Sequence, residues 1–205
     1  MQLYFAPLSC SMATRIAIYE AGLDAGFHRV ELATKRLADG RDYREINPKG
    51  QVPALVTDDG QILTEGAAVL QYVADLAPAS RLAPPAGSFE RYRLQQWLSF
   101  IGTELHKGVF YFIFNPASPD AARAFARELV LPRYDHLSAH LEGREFLLDD
   151  FTVADAYLVT SLGWAQPAGI DVAQWPVLAA YADRLRQRPA VARALREELE
   201  LAGRA

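Results

Sequence analysis

Residues 47–75, NPKGQVPALVTDDGQILTEGAAVLQYVAD, carry the punctuation that decides the fold. Asn47-Pro48 marks a turn. Two short apolar runs, 52–56 and 61–63, flank TDDG, which predicts a β-hairpin. Pro53 stands at the start of the first run, where a proline removes a ladder donor. A cis bond there leaves the Val52 backbone open to pair with an extended ligand. Thr64-Glu65-Gly66 then opens a helical pattern, with Ala68, Val69, Tyr72, Val73 and Leu76 at three- and four-residue spacing. A helix N-terminus receives a carboxylate, and Glu65 beside it accepts an ammonium. The other reading of the same residues is plain turn chemistry with an N-cap network.

Outward from this stretch, the chain changes period twice. Residues 2–5 read as a strand, 10–21 as a helix with Met12, Ile16 and Tyr19 on one face, and 27–32 as a second strand. Gly22 suits the end of that helix, and the polar stretch before Asn47 has room for a short helix. The order β-α-β-(α)-β-β-α predicts a small mixed sheet with helical layers over residues 1–80. Pro78, Pro84 and Pro85 break the pattern and mark a boundary. From residue 88 to 205 the periodicity is helical, in segments 88–114, 120–140, 153–165, 175–187 and a last piece after Pro189. Thr152 and Asp155 have the spacing of a capping box, which assigns Asp155 to folding. Trp175-Pro176 reads as a helix start with proline in its first turn.

Composition narrows the class. The hydrophobic fraction of 51% and charged fraction of 22% suit a globule with a sizeable core. Formal net charge is −4, and residues 1–80 carry seven Lys and Arg against ten Asp and Glu, so the overall balance offers nucleic acid no positive field. No apolar run approaches membrane-spanning length. The first residues lack the features of a signal peptide, and with one cysteine no internal disulfide can form; a cytoplasmic setting is expected.

That cysteine, Cys10, sits where the chain enters the first predicted helix. One reading makes it a small buried hydrophobe. The other uses the positive end of the helix dipole to favour a thiolate, or uses the same amides to orient a ligand's thiol. Ser9 and Ser11 flank it as hydroxyl donors or N-caps. A dithiol oxidoreductase needs a resolving thiol, which this chain lacks, so a disulfide partner must come from outside, and glutathione is the obvious cytoplasmic supplier. In the helical half, His106 and Lys107 lie within WLSFIGTELHKGVFYFIF. They are either core and surface groups or donors facing developing negative charge. Phe110, Phe114 and Trp164, with Phe5 on the near side, form either core and dimer packing or the wall of an apolar pocket. His136 and His140 lack the glutamate of a metalloprotease motif, so no metal is expected, and no phosphate-binding glycine loop is present.

Together, LYFAPLSCS, NPKGQVPAL, LTEGAAVLQYVAD, ELHKG and FTVADAYL resemble the bacterial beta class of glutathione transferases, over essentially the whole chain. The resemblance implies a thioredoxin-like domain, an all-helical domain, and a homodimer. It implies glutathione as co-substrate and a small apolar electrophile as partner, in a detoxification role. Cys10 matches a cysteine that approaches the glutathione sulfur and can form a mixed disulfide with it. Val52 before cis-Pro53 matches the residue pairing with the cysteinyl backbone, Glu65 and Gly66 those holding the γ-glutamyl group, and Lys35 a lysine near the glycyl carboxylate. Ser99, Thr103, Glu104 and His106 fall on the helical stretch lining the same cleft, with Lys107 as basic neighbour. The chain departs from many relatives at Arg15, where histidine is common, at Ser99, where asparagine is common, and at Phe5, where tyrosine is common. Conjugation of the glutathione thiolate is the activity implied. Thiol–disulfide exchange or peroxidase chemistry through Cys10 is the alternative, and a non-enzymatic binding module on the same fold is a third.

Overall fold

A computed structural model describes residues 1–203. Contacts divide the chain into two compact units, Met1–Ala83 with the segment from Pro189 onward, and Pro84–Arg188.

The first unit is built on a five-stranded sheet. Its strands are β1 (Gln2–Phe5), β2 (Gly26–Glu31), β3 (Arg36–Leu37), β4 (Ala54–Val56) and β5 (Ile62–Thr64), in the order β3-β2-β1-β4-β5. β1 pairs in parallel with β2, and the other pairings are antiparallel. The parallel pair requires a crossover, which α1 (Ser11–Glu20) supplies. Every residue of α1 from Ser11 to Ile18 is buried, because the helix packs on β1, on α2 (Gly66–Leu76) and on the last helix, α8 (Pro189–Ala202). On the other sheet face, Tyr4, Val30, Leu37, Tyr43 and Ala54 form a core cluster, with Ile46, Val52 and Val56 packed against it.

Three sequence expectations are met closely here. The 52–63 hairpin forms, closed by Thr57 N–H to Gln61 O at 2.9 Å around Gly60 at φ 84°. The Val52–Pro53 peptide is cis. Gly22, at φ 65°, follows the C-cap of α1 in the left-handed region that glycine occupies without penalty. One expectation differs: the short helix before Asn47 is only a 3-10 turn, Tyr43–Glu45, preceded by the two-residue strand β3. Asp42 caps that turn through its side chain, and Ile46 closes it.

The second unit is helical: α3 (Phe89–Phe100), α4 (Tyr111–Phe114), α5 (Asp120–Leu141), α6 (Val153–Leu162) and α7 (Pro176–Arg186). α6 is buried along its whole length, as an apolar helix at the centre of a bundle must be. Its capping box forms as the Thr152 and Asp155 spacing predicts. The carboxylate of Asp155 accepts from Leu147 N, Thr152 N and the Tyr181 hydroxyl, so it ties α6 to α7 and to the preceding loop.

Two sequence expectations need correction. The stretch 88–114 is helical throughout, but residues Ile101–Phe110 form a π-helical segment between α3 and α4. Glycine permits the wide turn: a Cβ on Gly108 would lie 2.7 Å from the Thr103 carbonyl oxygen. Periodicity carries the helical half from residue 88 to 205, whereas α8 packs with the first unit. Periodicity identifies a helix, but charge decides where this one docks. Buried Arg15 on α1 pairs with Glu197 at 3.0 Å and Glu198 at 3.1 Å, and Arg29 on β2 donates to the Leu201 carbonyl at 3.2 Å.

Candidate functional site

In the first unit, the loops at one end of the sheet gather most of the residues singled out from sequence. Cys10 is the N-cap of α1, its carbonyl accepting from Ala13 N–H at 3.2 Å. Its thiol, half-buried, donates to the Val52 carbonyl at 3.2 Å, directly before cis-Pro53. Ser9 and Ser11 do not reach the thiol. Their hydroxyls bond to each other at 2.7 Å and to the Ala6 carbonyl, wiring the turn that presents Cys10.

The segment leading to Val52 is held from below by two groups that periodicity does not reveal. The buried Tyr43 hydroxyl and the Asn47 side-chain amide each donate to the Gln51 carbonyl at 2.7 Å. Lys35 lies along Gly50 and donates to its carbonyl at 2.9 Å; a Cβ on Gly50 would come within 3.1 Å of the Lys35 stem. Glu65 is the N-cap residue of α2 and Gly66 its first residue. Gly66 is not required by space, since an added Cβ would meet only the Pro53 ring at 3.9 Å.

Backbone conformation singles out the same loops. Among the described residues, Leu8, Lys35, Glu65 and Arg81 are the non-glycine residues at positive φ. Three of them belong to this loop cluster. Left-handed conformations of such residues cost about 1–3 kcal/mol each and persist where the surroundings over-determine them, which is typical of sites. Glu65, at φ 68° and ψ 114°, is thereby held with its side chain 72% exposed.

Phe5 departs from its expected role. It is 2% exposed, and its ring face is covered by the Arg15 guanidinium at 4.2 Å, which also stacks on Phe27. It is a core residue of the first unit, not a pocket wall. Arg15 is itself 3% exposed and pairs with α8. The two departures at positions 5 and 15 therefore form one packed cation–aromatic cluster.

In the second unit, the π-helical segment carries Thr103, Glu104, His106 and Lys107. The Thr103 hydroxyl donates to the Ser99 carbonyl at 2.9 Å, and the side chains of both residues are exposed. Glu104 accepts from Arg133 at 2.6 Å, and Arg133 also donates to the Glu104 carbonyl. His106 Nδ1 and the Tyr157 hydroxyl share a 2.7 Å hydrogen bond, and the imidazole packs against Trp164 with ring centroids 5.0 Å apart. Burial, helped by the neighbouring Lys107 charge, pushes the imidazole down to about 4, so it is neutral at physiological pH. Lys107 is exposed, its ammonium 5.3 Å from the Tyr111 ring centroid. Phe110, Phe114 and Trp164 form one aromatic group: Phe110 stacks on Phe114 at 6.1 Å and meets Trp164 edge-on at 5.4 Å. Of the three, Phe110 is buried, Trp164 is partly exposed, and Phe114 presents most surface.

Among the described residues, no group of three or more His, Cys, Asp or Glu is placed to hold a metal ion, and no helix is long and apolar enough to cross a membrane. His136 and His140 pack on the Trp97 ring instead, at 5.8 and 4.5 Å.

Comparison with known proteins agrees with the geometry. Residues 9–76 match the glutathione S-transferase N-terminal domain, and residues 104–189 match the glutathione S-transferase C-terminal domain. Glutathione S-transferase GstA of Escherichia coli O157:H7 is 40% identical over 199 residues, covering 97% of this chain and 98% of that protein. Among solved structures, a sphingomonad glutathione S-transferase complexed with glutathione superposes with a TM-score of 0.93 at 46% identity, covering 97% of this chain and 98% of that one. A bacterial beta-class glutathione S-transferase of Sphingomonas chungbukensis has the same TM-score at 43% identity, with coverage of 97% and 98%. With both halves matched and 40% identity maintained across nearly its whole length, this chain belongs to the glutathione S-transferase family, in the direction its resemblance to the bacterial beta class implied.

Proposed function

We propose that this protein is an enzyme that binds glutathione on its first unit and transfers the glutathione thiolate to apolar electrophiles. The observation that carries the reading is the placement of Cys10 Sγ 3.2 Å from the Val52 carbonyl, beside cis-Pro53 and in the same loop cluster as Lys35 and Glu65. A tripeptide lying along Val52 in an extended conformation would make strand-like bonds there. Its γ-glutamyl ammonium would meet Glu65, its α-carboxylate the N-terminus of α2, and its glycyl carboxylate Lys35. The thiol loses its proton, the thiolate attacks the electrophilic carbon, and the leaving group departs with the bonding pair.

Cys10 adds a second chemistry. Its thiolate can attack oxidised glutathione, forming a mixed disulfide and releasing one glutathione thiolate; a second glutathione then attacks the mixed disulfide and regenerates Cys10. Catalytic parts for His106 and Lys107, and an electrophile-binding part for the exposed face of the Phe114 and Trp164 group, are proposed from the family resemblance. The neutral state of His106 makes it a hydrogen-bond donor or acceptor in that role, not a source of positive charge. A homodimer working in the cytoplasm in detoxification is proposed on the same ground.

Turnover of a chloronitroarene with glutathione, measured for the wild type and Cys10→Ala, tests the reading. Conjugation above the spontaneous rate should persist in Cys10→Ala, within about tenfold, whereas exchange with oxidised glutathione should vanish. A wild type that leaves the spontaneous rate unchanged would remove the enzyme assignment.

A further inference from the structure

The carboxylate proposed to receive the ligand's ammonium already holds an ammonium of the protein's own. Lys49 Nζ lies 2.6 Å from Glu65 Oε1 and 2.9 Å from Thr64 Oγ1. The two acceptors come from the last residue of β5 and the N-cap of α2, so they form a fixed two-point seat for a primary ammonium. The backbone that launches Lys49 is equally fixed. Gly50 N–H donates to the Asn47 carbonyl at 2.7 Å, Lys49 N–H donates to Asn47 Oδ1 at 3.2 Å, and the Asn47 amide anchors Gln51. The Lys49 side chain itself is 50% exposed, free to leave the seat without disturbing the turn beneath it.

We propose that Lys49 is a resident cation of the glutathione site, whose ammonium is exchanged for the γ-glutamyl ammonium of the ligand when glutathione binds. This rests on the glutathione reading given above and adds to it a residue that sets affinity and selectivity. A lysine ammonium and the ligand's α-ammonium carry the same charge and the same three donors. The position bonded to both Thr64 Oγ1 and Glu65 Oε1 holds one ammonium at a time, so the ligand's ammonium takes it only by displacing that of Lys49. Binding therefore replaces one ion pair by another, and the attraction of Glu65 for the ligand is partly offset by the pair that is lost. A ligand lacking the α-amino group has no cause to displace Lys49, so the resident lysine reduces the advantage of glutathione over such an analogue.

Exposed ion pairs contribute modestly, which sets the size of the effect at about two- to fivefold in affinity. The test is calorimetric titration of the wild type, Lys49→Met and Lys49→Arg with glutathione and with its desamino analogue, γ-glutaryl-cysteinyl-glycine. Lys49→Met should bind glutathione about two- to fivefold more tightly, with no tightening for the desamino analogue, so that the ratio between the two ligands widens. Lys49→Arg, which keeps a cation for Glu65, should behave as the wild type. Glutathione binding that is weakened or unchanged in Lys49→Met would overturn the proposal, the weakened case making Lys49 a direct ligand of the tripeptide. Absence of glutathione binding in the wild type would instead remove the reading on which the proposal rests.

Discussion

Glu65, proposed above to receive the ligand's ammonium, is the residue at which the proposed site and the fold compete. Its backbone sits at φ 68°, where a side chain is strained, and its carboxylate is largely exposed. Glycine adopts that backbone freely, while alanine keeps the strain and loses the carboxylate. Glu65→Gly should therefore be more stable than Glu65→Ala by about 1 kcal/mol or more. Both should bind glutathione at least about tenfold more weakly, the usual loss for a hydrogen bond to a charged group. Urea midpoints and calorimetry of the pair check this; equal stability of the two variants would mean that Glu65 is not strained. Sequence revealed this residue by its place between Thr64 and Gly66 at a helix start. It did not reveal Lys49, although the residue stands in the same stretch, because nothing in periodicity tells which lysine folds back on which carboxylate. Tyr43 and Asn47 escaped for a similar reason: their service to Gln51 is a single hydrogen bond across a turn.

Among the elements, α8 is the instructive case. Its helical pattern was plain from sequence, but its partner was not, since docking depends on buried charge that spacing does not encode. Glu198 is fully buried and accepts from Leu8 N–H at 2.6 Å, two residues before Cys10. Burial lifts its carboxyl to about 7, outweighing that bond and the Arg15 guanidinium. The folded value lies above the ordinary 4.5, so the contribution to stability is fully present below that pH and is lost as pH rises through 7. A shift of this size corresponds to roughly 3–4 kcal/mol. Glu198→Gln keeps an acceptor for Leu8 without the titration. Its stability should change less between pH 5 and pH 8 than that of the wild type, as read from urea midpoints at the two values. Identical pH dependence in the two proteins would mean that Glu198 does not titrate in this range. The π-helical segment is hidden for a different reason: its apolar positions satisfy a helical pattern, and its one local mark is Gly108, where the Thr103 carbonyl leaves no room for a Cβ.

At the scale of the whole molecule, the small mixed sheet, the hairpin, the cis peptide and the change from a mixed to a helical half are legible because each rests on local signals: proline, glycine, and period two against period three to four. The loop cluster proposed as the site coincides with those signals at Cys10, Val52, Pro53, Glu65 and Gly66. Phe5, expected at a pocket wall, is a core residue instead. The central claim is that the first unit is a glutathione site with a chemically competent cysteine. The most direct test is calorimetric titration of glutathione into the wild type and Cys10→Ala, followed by intact mass after exposure to oxidised glutathione. Binding by both proteins, with a gain of one glutathione in the wild type alone, is the predicted result. No heat of binding in either protein and no adduct on Cys10 would contradict it.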